Sequence, residues 1–212
     1  MKILTYHYLK MFILTAFLMT PTYTQAQSKA FSGVYGIFEM SQQNIIGGSF
    51  VNNIDFLAQD NRTITSFHVG ARYQFNFGFV IGAEGSVGLL NGDLNLTDPQ
   101  NQLDIAYENN KQTTLGLISG FAFGAQKNWL FFGYLSEATR NFDVNITQAG
   151  NTFTQSDEQG FLRYGVGLEK QLLNHFNLRI SAGTGRADFG DQQTNIDVKK
   201  KFEFAVGAIF QL

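Results

Sequence analysis

From Thr63 to Phe75 the chain changes character at every second residue. The odd positions read Thr63, Thr65, Phe67, Val69, Ala71, Tyr73 and Phe75, while the even positions read Ile64, Ser66, His68, Gly70, Arg72 and Gln74. Successive side chains of a strand point to opposite faces, so this period of two gives one apolar face and one polar face. The pattern returns near 79–90, where Phe79, Ile81, Val87 and Leu89 alternate with Val80, Glu84 and Ser86. Near 160–171, Leu162, Tyr164, Val166 and Leu168 alternate with Arg163, Gly165, Gly167 and Glu169. Near 176–187, Phe176, Leu178 and Ile180 alternate with Asn177, Arg179 and Ser181, and from Phe202 to Leu212 every even position is apolar. With less regular runs near 31–40, 111–124 and 129–142, and a last strand near 198–212, the pattern predicts eight strands. The run from Trp129 to Leu135 is apolar in both phases and leaves its register open.

Two kinds of connection separate these strands. Tight turns are predicted around 76–78, 125–128 and 172–175, and long polar loops over 41–62, 91–110, 143–159 and 188–197. Short connections therefore fall at one end and long ones at the other, as an up-and-down barrel with short periplasmic turns and long outer loops requires. Alternation alone does not say which face is inside. Glycine decides it, because Gly70, Gly82, Gly116, Gly120, Gly165, Gly167 and Gly183 all sit in the polar row. An eight-stranded barrel has an interior just wide enough for side chains, and small residues relieve crowding there. The polar row is thus expected inside, with Tyr73, Phe75, Phe79, Phe123, Trp129 and Phe210 forming an aromatic girdle at the short-turn end. The expected fold is all-β, an eight-stranded antiparallel up-and-down transmembrane β-barrel.

Composition supports this class. The 212 residues include 22 Phe and 22 Gly but only two Pro, Pro21 and Pro99, so strand pairing can run almost unbroken. Lys2 and Lys10, the apolar run Met11 to Met19, and the small-residue exit ending at Ala26 resemble a cleavable secretory signal. Residues 1–26 are therefore expected to be the signal and 27–212 the barrel domain. Removing Lys2 and Lys10 from the 15 basic residues leaves 13 against 17 acidic ones, a formal charge of −4. That balance disfavours nucleic acid as a partner. With no cysteine in the chain, disulfides, thiolate chemistry and lipid attachment at a cysteine are excluded.

The segment Gly160 to Gly183, with Arg163, Tyr164, Gly165, Val166, Gly167, Leu168 and Glu169, then a turn, then Phe176, Asn177, Leu178 and Arg179, resembles a hairpin of a known family. It looks like the sixth-to-seventh strand hairpin of small outer-membrane β-barrel proteins of the OmpA transmembrane domain, OmpX and opacity-protein type. The alternation from Phe202 is similar to their C-terminal recognition strand, although this chain ends in Leu212 where an aromatic residue is usual. The resemblance implies the bacterial cell outer membrane as location and the barrel-assembly machinery as a partner in biogenesis. It also implies outer-membrane lipid and lipopolysaccharide as surroundings, with the chain a monomer. No peptidoglycan-binding domain is expected after the last strand.

Charges in the inward row form the main candidate site. Arg72, Glu84, Glu169 and Arg179 are expected in the lower half of the lumen, and Arg163, Lys201 and Glu203 higher up. Buried charges need partners, so the first reading is a structural filling of matched pairs, and the second is a gate that admits water or small ions. His68 and Ser66 share that row, but spacing sets no acid beside them, which argues against an enzyme. His175 is expected to be solvated in its turn. No cofactor and no bound metal are expected. Asp93, Asn95, Thr97 and Asp98 place oxygens at close intervals but lack the glycine and terminal glutamate of a calcium loop. Lys199 and Lys200, with Lys201, could meet lipopolysaccharide phosphates or snorkel at the interface. The long loops carry 12 of the 17 acidic residues, Asp104, Glu108 and Asp143 among them. Loop 41–62 adds apolar residues such as Ile45, Phe50 and Phe56, suited to a partner or to folding back over the mouth.

The expected role is non-enzymatic, a structural or surface-interaction barrel presenting four extracellular loops. The first alternative is a narrow porin-like passage for small solutes or ions. The second is a soluble periplasmic lipocalin-like carrier with the apolar row turned inward. A closed membrane barrel predicts that boiling shifts the protein's migration on a gel and that osmotic shock releases none of it from cells; detergent-free release into the shock fluid contradicts it.

Overall fold

The computed structural model describes residues 29–51, 54–90, 94–98, 102–148, 150–187 and 202–212. The signal expected over 1–26 lies outside these residues. Among the described residues nine strands are formed: β1 (Gly33–Val51), β2 (Ile54–Gln74), β3 (Phe79–Leu90), β4 (Leu94–Asp98), β5 (Leu103–Phe123), β6 (Trp129–Gln148), β7 (Asn151–Leu173), β8 (Phe176–Ala187) and β9 (Phe202–Gln211). All pairings are antiparallel. β3 pairs with β5 and β1 with β9, so eight strands close a ring and the short β4 lies outside it, paired to the upper part of β5. Closure leaves no strand edge within the ring, which a barrel in lipid requires because lipid offers no hydrogen bonds.

The polar row faces in. Ser66, His68, Arg72 and Gln74 of β2 are buried, whereas Phe67, Val69 and Tyr73 are exposed on the outer wall. The same division holds on β7, β8 and β9, where Glu169, Arg179 and Glu203 are buried beside exposed Val166, Ile180 and Phe204. A lipocalin-like carrier would show the reverse, so that alternative is corrected. In β6 the even positions face in, and Leu130 and Phe132 are buried while Phe131 and Leu135 are exposed.

Lumen glycines make room for rings. A methyl on Gly70 would lie 2.6 Å from the Tyr35 ring, and Gly167 sits equally tight against Phe132. At the short-turn end, Ala30, Phe31, Val80, Ile118, Ala122, Leu130 and Phe132 form an apolar floor. Phe31 was expected to open the first strand, but it lies in a turn beneath it, where its backbone N–H donates to Gln74 Oε1 at 3.0 Å. Outside this floor aromatics of the girdle pack edge to face, Tyr73 on Phe75 and Phe79 on Phe121. Lys170 Nζ stands 4.5 Å from the Trp129 ring centre, a cation–π contact suited to the headgroup level.

The long loops required correction. Some 9–11 tilted residues cross a bilayer. β3, β8 and β9 have 12, 12 and 10 residues, but β1, β2, β5, β6 and β7 have 19 to 23. Most of 41–62 is paired strand, up to Val51 against Ile54, and most of 143–159 is the β6–β7 hairpin, up to Gln148 against Asn151. Segment 91–110 holds β4 and the upper part of β5. The fourth predicted loop and the start of the last predicted strand, 188–201, lie outside the described residues. Beyond the membrane the sheet inverts its polarity. Leu103, Ile105, Tyr107 and Val144 are buried with Ile64 over the mouth, and their neighbours Asp104, Glu108, Asn145 and Thr147 belong to the opposite row. The register shift between Glu108 and Lys111 makes this possible in β5 by exchanging its two faces.

Because Gly70 lies under Tyr35, Gly70→Val is expected to overfill the lumen and lower unfolding stability by about 1–3 kcal/mol. Urea titration of the barrel in micelles, followed by its heat-sensitive gel migration, measures this.

Candidate functional site

Between the apolar floor and the apolar cover runs a column of charge. Arg72 makes a two-pronged contact with Glu169, its Nη1 and Nη2 donating at 2.8 and 2.7 Å. Glu169 also accepts from Asn177 Nδ2 at 2.7 Å and from Arg179 Nη2 at 3.1 Å. Arg179 in turn donates from Nη1 to Glu84 Oε1 at 2.7 Å, and the Tyr35 hydroxyl donates to the same oxygen. Glu169 is 0 % exposed, so its charge depends on these donors. Aromatic faces complete the packing. The Arg72 guanidinium lies 4.4 Å from the Tyr35 ring centre, and that of Arg179 lies 4.8 Å from Phe132.

A second group stands apart from the first. Arg163 Nε donates to Glu203 Oε2 at 3.0 Å, and Arg140 Nη2 donates to Gln112 Oε1 at 2.9 Å. Of the residues picked out from sequence, Arg72, Glu84, Glu169 and Arg179 thus share one network, and Arg163 and Glu203 form a separate pair. Lys199, Lys200 and Lys201 lie outside the described residues. Asn95 and Thr97 are extended residues of β4.

Glu39, Tyr35 and Arg140 were missed by the sequence reading. Glu39 shares its row with Tyr35 and Ile37, whose apolar character hides the alternation of β1. Arg140 continues the even phase of β6, which two buried apolar residues obscure lower down. Among the described residues, Arg72, Arg140, Arg163 and Arg179 thus share the lumen with Glu39, Glu84, Glu169 and Glu203.

His68 is also better provided with acids than its spacing suggests. Its Nε2 lies 2.9 Å from Ser66 Oγ and 3.5 Å from Glu39 Oε1, and its Nδ1 lies 3.9 Å from Glu84 Oε2. Register explains this, since Glu39 pairs with Ser66 on one side of β2 and Gly70 with Glu84 on the other. The cavity bordering His68 measures about 50 Å³ and is lined by Glu39, Glu84, Arg163 and Arg179. His175 is not simply solvated: its Nδ1 lies 3.0 Å from the Gln211 carbonyl oxygen, and its own carbonyl accepts the Gln211 N–H.

Residues 12–210 match the family model described as outer membrane protein beta-barrel domain. The chain belongs to that family. It is therefore a β-barrel protein of the bacterial outer membrane, set in lipid and lipopolysaccharide. Among solved structures it is similar to the Yersinia pestis attachment invasion locus protein Ail, at 16 % identity, 85 % of this chain, 99 % of that chain and a TM-score of 0.47. It is also similar to the N-terminal β-barrel domain of Pseudomonas aeruginosa OprF, at 12 % identity, 85 % and 98 % coverage and a TM-score of 0.49. OprG from the same organism gives 13 % identity, 88 % and 100 % coverage and a TM-score of 0.49. A search of curated proteins gives no match.

The network assigns unequal weights to its carboxylates. Glu169→Gln should cost about 3–5 kcal/mol because it leaves buried arginine charge unmatched, and Glu84→Gln, nearer to the cavity, should cost less. Urea unfolding of the two variants in micelles checks the order.

Proposed function

We propose that this barrel is non-enzymatic and acts as a structural or surface-interaction element whose working part is the extracellular face. The observation that carries the reading is the closure of the lumen. An apolar floor, a layer of paired charge and an apolar cover fill it, while β1, β2, β5, β6 and β7 rise well beyond the bilayer. Residues that only filled a membrane barrel would not need that projection. The Ser66, His68 and Glu84 arrangement does not favour an enzyme, since Ser66 is buried in the lumen and the neighbouring cavity of about 50 Å³ has no room for an acyl chain. In this reading the charges, Arg72, Glu84, Arg163, Glu169, Arg179 and Glu203, are structural filling. The N-terminal segment would direct export, and the regular outward row of β9 would serve the barrel-assembly machinery.

A narrow passage is the second reading. Arg179 favours it, because its guanidinium bridges Glu84 and Glu169 beside the small cavity and could exchange between them. Planar-bilayer recording of wild type and Arg179→Ala separates the two. Silent traces from both are expected, and discrete openings in the wild type would favour the passage.

Orientation is testable because the chain has no cysteine. A membrane-impermeant maleimide should label Gln155→Cys, exposed on upper β7, in intact cells, and should reach Gln126→Cys, in a short turn, only after the cells are opened. The opposite pattern contradicts the proposal.

A further inference from the structure

Above the membrane, β4, β5, β6 and β7 form a four-stranded sheet whose inner row covers the barrel mouth. Its outer row is left to meet the surroundings. Register aligns that row in rungs: Thr97, Asp104, Thr147 and Thr152 across one, and Asn95, Ala106, Asn145 and Thr154 across the next. A groove of about 590 Å³ lies over these rungs and reaches Glu108. We propose that this groove binds an extended cationic peptide segment, with Asp104 and Glu108 receiving two of its basic side chains.

Charge supplies the first argument. The groove is lined by hydroxyl, amide and carboxylate groups with no lysine, arginine or histidine. Among the described residues neither Asp104 nor Glu108 has an ion-pair partner. On the β6–β7 side the polar groups satisfy one another, with Thr154 Oγ1 donating to Asn145 Oδ1 at 2.6 Å and Thr147 meeting Thr152 at 2.9 Å. The β4–β5 side keeps its carboxylates available.

Spacing gives the second argument. Asp104 and Glu108 lie on one face of β5, four residues and thus about 13 Å apart. That distance prevents both from holding one metal ion, and the described residues contain no cluster of metal-ligating side chains. It equals the separation of residues i and i+4 on one face of an extended peptide. Ala106, between the two acids, has no side chain beyond its methyl and keeps the floor of the groove low. Asn95, Thr97 and Thr147 supply hydrogen-bond partners beside it for the peptide's polar atoms.

This inference rests on the surface-interaction reading, and the maleimide experiment tests that reading separately. If Gln155→Cys labels on intact cells and the peptide does not bind, only the groove assignment fails. The test uses the full chain folded in zwitterionic nanodiscs and a fluorescent Lys-Ser-Ser-Ser-Lys peptide, with binding read by anisotropy. Saturable binding is expected, weakened by salt as ionic contacts between exposed groups are. The double variant Asp104→Asn with Glu108→Gln should lower affinity about tenfold, the sum of two exposed ion pairs. Ala106→Trp should block the groove while leaving both carboxylates in place and unpaired. The heat-sensitive gel shift confirms that each variant is folded. Equal binding to the wild type and the double variant overturns the proposal, as does equal binding of a peptide with glutamate in place of lysine. Displacement of the lysine peptide by an equal concentration of magnesium ion overturns it too, because it would make the site one for a divalent cation.

Discussion

A barrel with eight strands encloses too little space for water to solvate the side chains that point inward, yet its outer wall must be apolar to meet lipid. The charged residues of the inward row, from Arg72 to Glu203, therefore lie in the interior, and there they must find their own partners. This constraint accounts for the column from Arg72 to Glu203. It also accounts for the glycines, which open room for Tyr35 and Phe132, the rings against which Arg72 and Arg179 stack. Removing one member leaves an opposite charge buried without its partner.

The same constraint is lifted where the strands leave the membrane. Water then meets the outer wall, and the sheet reverses itself: Val144 and Ile146 turn in to cover the mouth, and Asn145 and Thr147 turn out. The register shift in β5 lets one strand serve both regimes. The lumen residues hold one another, whereas the outer polar row of the projecting sheet still has carboxylates to offer, which is why the proposed function places the working surface there. The membrane portion fixes location and rigidity, and under the proposed function the projecting portion is the surface for recognition.

How far the sequence could be read follows from this reversal. On β2, β3, β7, β8 and β9 the apolar row faces lipid along the described parts of the spanning segments, so period two showed both the strands and the inward charges. Beyond the membrane the alternation continues with its sign changed, as in Val144, Asn145, Ile146 and Thr147, and so the upper strands looked like polar loops. β6 was obscured because Leu130 and Phe132 face inward to form the floor. Glu39 was hidden by Tyr35 and Ile37 in its own row. The joining of Glu39 and Glu84 around His68 was not legible at all, because it comes from register across three strands and not from spacing along one. Arg72 and Glu169, 97 residues apart, could be placed at a common depth but not seen to be a bonded pair.

The lumen is filled by a locked set of paired charges, with Glu169 held between Arg72 and Arg179. Nuclear magnetic resonance of the arginine Nε–H groups in nanodiscs tests this most directly. Separate signals are expected for Arg163 and Arg179, exchanging with water far more slowly than those of an exposed arginine. Exchange of both at the rate of a solvated guanidinium would contradict it and would mean that water runs through the barrel.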